Sequence, residues 1–168
     1  MTSTVTKATA IGAALFGGLL AGATATRAFV EMPAWERIGV TEWAAFSRVE
    51  NASAGFLLYP AIGGSALFLT IGTAIALQFD RTGGAIRRLP IYSAVTVAVL
   101  AAIVTRAGVV PALFQLKNTL HDPALAPGLF RALAGWWAVN DLLHTLAFSL
   151  NLWALVEVLR GSSRATTS

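Results

Sequence analysis

The feature that most constrains this chain is the recurrence of apolar runs of about 20 residues or more, each long enough to cross a bilayer as an α-helix. Four such runs lie near residues 8–30, 52–79, 89–116 and 132–159. Composition agrees, with 56% of residues hydrophobic and 12% charged, where a soluble domain carries roughly 25% charged. The expectation is an all-α integral membrane bundle of four transmembrane helices. It forms a single membrane domain over residues 1–168, with a disordered tail after about residue 160.

The first run resembles a secretory leader in having Lys7 ahead of it, but Ala8 to Thr26 gives 19 residues without a charge. That exceeds the usual secretory core and suffices to span, so it reads as the first membrane helix. Cysteine is absent, which removes disulfides, thiolate metal sites and iron–sulfur clusters from consideration. The formal charge of +4 comes from basic residues spread over loops and helix ends. Such a spread marks topology rather than a nucleic-acid surface, and nucleic acid is not an expected partner.

With four crossings, Lys7, Arg81, Arg87, Arg88, Arg160 and Arg164 fall on one side. Arg37, Arg48, Lys117 and Arg131 fall on the other, among Glu36, Glu42, Glu50 and Asp122. The imbalance predicts a multi-pass cell-membrane protein with both termini cytoplasmic. Ala14, Gly18 and Gly22 recur every four residues, a spacing that lets helices approach closely in lipid. Pro60, with Gly63 and Gly64 after it, predicts a bend in the second span.

Ionisable side chains inside a span are costly, so each calls for a partner or a purpose. At 100° per residue, Trp137, Asn140, Asp141, His144, Phe148 and Asn151 share one arc of the last helix, which must face the bundle interior. Val139, Leu142, Leu143, Leu146 and Leu150 form the opposite, lipid-facing side. The i, i+3 spacing of Asp141 and His144 predicts a carboxylate–imidazole pair, half of an acid–base relay. Arg106, about 22 Å into the third helix, joins Arg27, Glu31, Glu50, Asn51, Lys117, Asn118 and His121 toward one half of the bundle. The expected result is a polar pocket roofed by the long first loop, above an almost wholly apolar half. A channel, which needs polar lining throughout, does not fit this asymmetry.

Each feature also has a plainer reading. Arg27, Glu31 and Arg106 can neutralise neighbours and fix helix register, and Trp35, Trp43, Trp136 and Trp153 suit interface anchoring or packing. Lys117 and Arg131 can simply mark a membrane surface. His121, His144 and Asp141, with Glu31 or Glu50, make a nitrogen and oxygen ligand set for a metal ion, although no compact His-Glu-x-x-His spacing accompanies them. A small transporter or non-catalytic partner subunit is a further class. Four helices without repeats would then need a homodimer to supply the missing half.

Phe29 followed by Pro33-Ala34-Trp35, the stretch Trp43 to Asn51, Asn118 near the end of the third helix and the tryptophan at 136 or 137 together resemble the anthrone oxygenase-like family of small four-helix membrane proteins. The resemblance covers roughly residues 8–158. Lys117 stands where family members carry proline, and Asn140 and His144 follow Trp137. It implies oxidation of a hydrophobic polycyclic or phenolic substrate by O2, commonly without a recognised organic cofactor. Such chemistry needs a base and a positive group to stabilise the anion formed. On this reading His144 oriented by Asp141 is the base, and Arg106 or Lys117 stabilises the anion. Asn118, Lys117, Trp137, Asn140 and Arg27 would contact the substrate, and the other partners are the lipid bilayer and a second copy of the chain.

Overall fold

The structure is a computed structural model describing residues 3–52, 55–80, 88–119, 122 and 124–164, apart from the side chains of residues 48, 50–52, 55–56 and 162–164. The described residues are helical, with no strand. Helix α1 (Thr4–Thr26) runs through a π turn, Arg27–Glu31, into α2 (Met32–Ile38). α3 (Val40–Ala52) and α4 (Gly55–Phe79) follow, then α5 (Leu89–Val104), a second π turn, Thr105–Val109, and α6 (Val110–Thr119). The last helix, α7, covers Ala126–Arg164. Four helical rods are long and apolar enough to cross a membrane: Thr4–Ile38, Leu57–Phe79, Leu89–Thr119 and Ala126–Gly161. The chain is an all-α, multi-pass membrane protein.

Three rods are longer than the sequence reading. At 35, 31 and 36 residues they measure ~52, ~46 and ~54 Å, whereas a bilayer's hydrocarbon core is about 30 Å thick. The charge-free stretches show which end projects. Ala8–Thr26, Gly55–Phe79, Leu89–Thr105 and Leu142–Val156 contain no Asp, Glu, Lys or Arg and cover ~23–38 Å each. Beyond them at one end stand Lys7, Asp80, Arg88 and Glu157; at the other, Arg27, Arg106 and Asp141. Residues 27–52, 106–119 and 126–141 therefore form a helical cap on the bundle. Two half-exposed tryptophans on α7, Trp136 and Trp153, are ~26 Å apart along the axis. They sit near the two boundaries, where indole rings are favoured.

Both π turns have one local cause. Pro33 and Pro111 follow them at the same offset, and the residue before each proline donates to a carbonyl five back: Met32 to Arg27, Val110 to Thr105. A proline ring clashes with the carbonyl four residues earlier, and widening the preceding turn relieves that clash without breaking the rod. Gly39 then ends α2. Its φ of 93° is a left-handed conformation that only glycine adopts at little cost, and its N–H donates to the Trp35 carbonyl at 3.0 Å.

α1 packs on α4 and α7, and α5 on α7 and more briefly α4, so α1 and α5 occupy opposite corners. The predicted small-residue stripe is partly realised. A Cβ on Gly18 would lie 3.0 Å from the Phe148 ring, while one on Gly22 would meet nothing within 4 Å. Polar fasteners hold the membrane-embedded part. At the end away from the cap, Asp80 accepts from Ser3 N–H (3.2 and 3.1 Å) and from the Thr6 hydroxyl (2.8 Å). This seats a carboxylate at the positive end of the α1 dipole. Between α4 and α7, Asn151 donates to the Thr70 hydroxyl at 3.1 Å.

The segment expected as a loop between the first two spans is helical and inserts its tryptophans. Trp35 and Trp43 are buried with Val109, Leu116, Phe130, Leu133 and Trp137 in the core of the cap. Trp35, Trp43 and Trp137 lie 5.7–6.0 Å apart by ring centroid, in tilted and edge-on geometries. The polar pocket expected beneath this segment is thus filled by aromatic packing, because indole surface is worth more buried than exposed. The helix also continues to Arg164, past the expected start of a disordered tail. Arg81, Arg87, His121 and the tail after Arg164 lie outside the described residues, as do the side chains of Arg48, Glu50, Asn51 and Arg164.

Candidate functional site

Where the cap meets the membrane-embedded bundle, α7 presents Trp137, Asn140 and Asp141, all buried. Their spacing puts Trp137 and Asp141 one turn apart on the face toward α1. Arg27, first residue of the first π turn, reaches across: its Nη2 donates to Asp141 Oδ1 in a close ion pair. Its guanidinium carbon stands 5.2 Å from the Trp137 ring centroid, a cation–π distance. The two charged side chains are 18% and 11% exposed, so water screens them little and the pair is electrostatically strong. Among the described residues it is the one ion pair joining separate helices.

The partner expected for Asp141 was His144. The structure instead gives the carboxylate to Arg27, 114 residues away in sequence. A guanidinium brings a full charge and directed N–H groups, so in a low-dielectric site it outcompetes an imidazole one turn along. His144 is half-buried and makes no hydrogen bond or ion pair among the described residues. Asn140 faces the other way, its Oδ1 accepting from the Thr105 hydroxyl at 2.9 Å. That bond ties α7 to the second π turn, so Asn140 is a fastener here.

Beside the ion pair runs a cleft of about 560 Å³ between α1 and α7. Gly18, Ala21, Gly22, Ala25 and Phe29 form one wall; Asp141, Leu142, Thr145 and Phe148 form the other. It is open along its outer side, where Phe29 and Leu142 are 82% and 68% exposed. Its open side runs from the boundary into the charge-free stretch, the part of the bundle that hydrocarbon surrounds. Among the described residues Asp141 is its one ionisable lining residue. One carboxylate oxygen is taken by Arg27, while Oδ2 has no hydrogen-bond partner among the described residues. Two buried donors lack an acceptor among the described residues: Arg27 Nε and Trp43 Nε1. Buried N–H groups are nearly always paired; the Arg27 donor belongs to the side chain that holds the cleft-lining Asp141, whereas Trp43 lies in the core of the cap and is not among the residues lining the cleft.

The remaining expected site residues are elsewhere. Arg106 is exposed on the opposite corner of the bundle and makes no hydrogen bond or ion pair among the described residues. Lys117 is half-buried and Asn118 exposed, eleven and twelve residues up the rod from Arg106, or ~17 Å into the cap. Glu31 closes the first π turn half-buried and forms no ion pair among the described residues. With His121 outside the described residues, the proposed metal set reduces to members that do not assemble. Among the described residues no three His, Asp or Glu side chains form a group that could hold a metal ion. Sequence reasoning did not single out Thr145, and it gave Phe29 and Leu142 no part in a cleft; Trp43, expected as an interface anchor or a packing residue, is buried. Pro33 was the available signal, since the π turn it induces sets Arg27 against α7.

No family model matches the chain, and neither a curated protein nor a solved structure shows significant similarity to it.

Proposed function

We propose that this protein is a membrane-embedded oxidoreductase of the anthrone oxygenase type, acting on a flat, hydrophobic phenolic substrate in the α1–α7 cleft. The observation that carries the reading is the placement of Asp141: a buried carboxylate, fixed by an arginine, edging an apolar cleft open to the bilayer. Proximity of a base and a cation at the wall of an otherwise apolar cavity suits removal of a proton from an acidic C–H or O–H.

In this scheme Asp141 Oδ2 accepts a proton from the substrate methylene. Arg27, through Nε and its remaining N–H groups, stabilises the delocalised anion on the substrate oxygen. Molecular oxygen then reacts at the carbanion carbon. Overall the CH2 group and O2 give C=O and water, so the methylene loses two hydrogens and four electrons, and O2 is reduced by the same four. Asp141 takes the role first expected of His144, and Arg27 that expected of Arg106.

Oxygen uptake by the purified protein with a tricyclic anthrone, followed alongside quinone absorbance, tests this. Turnover should require Asp141, with Asp141→Asn inactive yet inserted and folded. Turnover by Asp141→Asn at the wild-type rate would refute the assignment. A second reading has its own support in the ion pair and the Arg27–Trp137 contact: the pair fastens α1 to α7 and the protein is a non-catalytic partner subunit. Absence of oxygen uptake across a panel of phenols and anthrones, with a large stability loss in Asp141→Asn, would favour it.

A further inference from the structure

Arg106 is an exposed cation in the middle of a membrane-crossing rod, and it has no ion-pair or hydrogen-bond partner among the described residues. It lies in the second π turn, one residue from Thr105, whose hydroxyl bonds Asn140. Two residues on, Gly108 is buried under the ring of Trp136, so close that an added Cβ would fall 2.4 Å from it. Trp136 is 43% exposed and on the boundary side of α7. These contacts fix the depth of Arg106 at the edge of the charge-free stretch, within a side chain's reach of the headgroup region. A lipid-facing arginine at that depth turns its guanidinium toward the boundary, where its planar fork matches phosphate oxygens.

We propose that Arg106 holds the phosphate of a membrane phospholipid, making the α5–α6 corner, with Trp136 beside it, a lipid-binding site. The alternative counter-charge is a carboxylate of a second copy. The described carboxylates near this level are Asp141, taken by Arg27, and Glu31 on the α1 rod. α1 and α5 occupy opposite corners, so Glu31 and Arg106 cannot share the single self-complementary patch of a two-fold dimer. A bilayer presents phosphate at this depth all round the protein.

The wild-type chain, Arg106→Gln and Arg106→Lys are purified in a mild non-phosphate detergent after exposure to phosphatidylglycerol vesicles. Native mass spectrometry then counts the phospholipids retained, with folding checked by circular dichroism. The wild type should keep one phospholipid per chain, Arg106→Gln should retain about tenfold less, and Arg106→Lys should fall between. Inorganic phosphate in the buffer should not displace the lipid. Equal retention by wild type and Arg106→Gln overturns the proposal. So does a wild-type chain that keeps no phospholipid, a result that needs no variant to fold. Displacement by inorganic phosphate, or a wild-type dimer that Arg106→Gln converts to monomers, also overturns it, assigning the cation to a free anion or to a second chain.

Discussion

Replacing Asp141 with leucine while Arg27 stays in place isolates what the ion pair contributes. With the partner side chains 18% and 11% exposed, the surviving guanidinium would be left inside the protein with only the Trp137 face for compensation. Losing one member of a buried pair costs about 3–5 kcal/mol. Arg27→Met should cost a similar amount and also lose the cation–π contact, worth about 1 kcal/mol. The double variant leaves no unpaired charge and gains apolar contact along the cleft, so its loss should be only about 1 kcal/mol. The three variants and the wild type, unfolded by denaturant in micelles and followed by circular dichroism, form a double-mutant cycle. The double variant should be more stable than either single one. If the two single losses instead add up in the double variant, the residues do not act on each other and the pair is not the element joining α1 to α7.

Further substitutions test separate steps of the packing. Gly108→Ala puts a Cβ 2.4 Å from the Trp136 ring and should cost about 1–3 kcal/mol. The loss should largely vanish in a Trp136→Ala background, in the same unfolding assay. Gly18→Ala meets Phe148 at 3.0 Å whereas Gly22→Ala meets nothing within 4 Å, so thermal unfolding should separate a destabilised variant from an unaffected one. Asp80→Ala removes the acceptor for Ser3 N–H and the Thr6 hydroxyl and should cost about 1–2 kcal/mol. Faster hydrogen exchange at the first turn of α1 would report it. Asn151→Leu breaks the bond to Thr70, and its loss should stay near ~0.6 kcal/mol, the average for interhelical hydrogen bonds in membranes.

The four spans were legible because a charge-free run of this length has few other outcomes. Their extension into a cap was not, because α2 and α3 carry Glu36, Arg37, Glu42 and Arg48 and lack a long apolar run. What makes that segment part of the core is the burial of Trp35 and Trp43 against Phe130 and Trp137, a tertiary contact with no local signature. For the site, the helical wheel was enough to turn Trp137, Asn140 and Asp141 inward. It could not say which neighbour each would meet. Periodicity within one helix favours the i, i+3 partner His144, whereas the partner found, Arg27, depends on where the first π turn aims its side chain. Arg27 and Arg106 looked alike in sequence, each a lone cation in an apolar rod with a proline soon after. Only the corner each rod occupies makes one a buried partner and the other a lipid-facing charge.

Trp137, Asp141, Thr145 and Phe148 continue one stripe down α7 at helical spacing, and the stripe crosses three environments. Trp137 packs on Trp35 and Trp43 within the cap, Asp141 meets Arg27 at the boundary, and Thr145 and Phe148 line the cleft facing hydrocarbon. Arg27 touches two of these levels, through its contacts to Trp137 and Asp141. A molecule that enters the cleft and draws Arg27 toward its own oxygen must weaken the pair and shift the guanidinium over Trp137. That ring cannot move without its two indole neighbours, because interiors are packed too densely to absorb the change locally. Arg27 thus contacts both the aromatic core of the cap, through Trp137, and the carboxylate that edges the cleft.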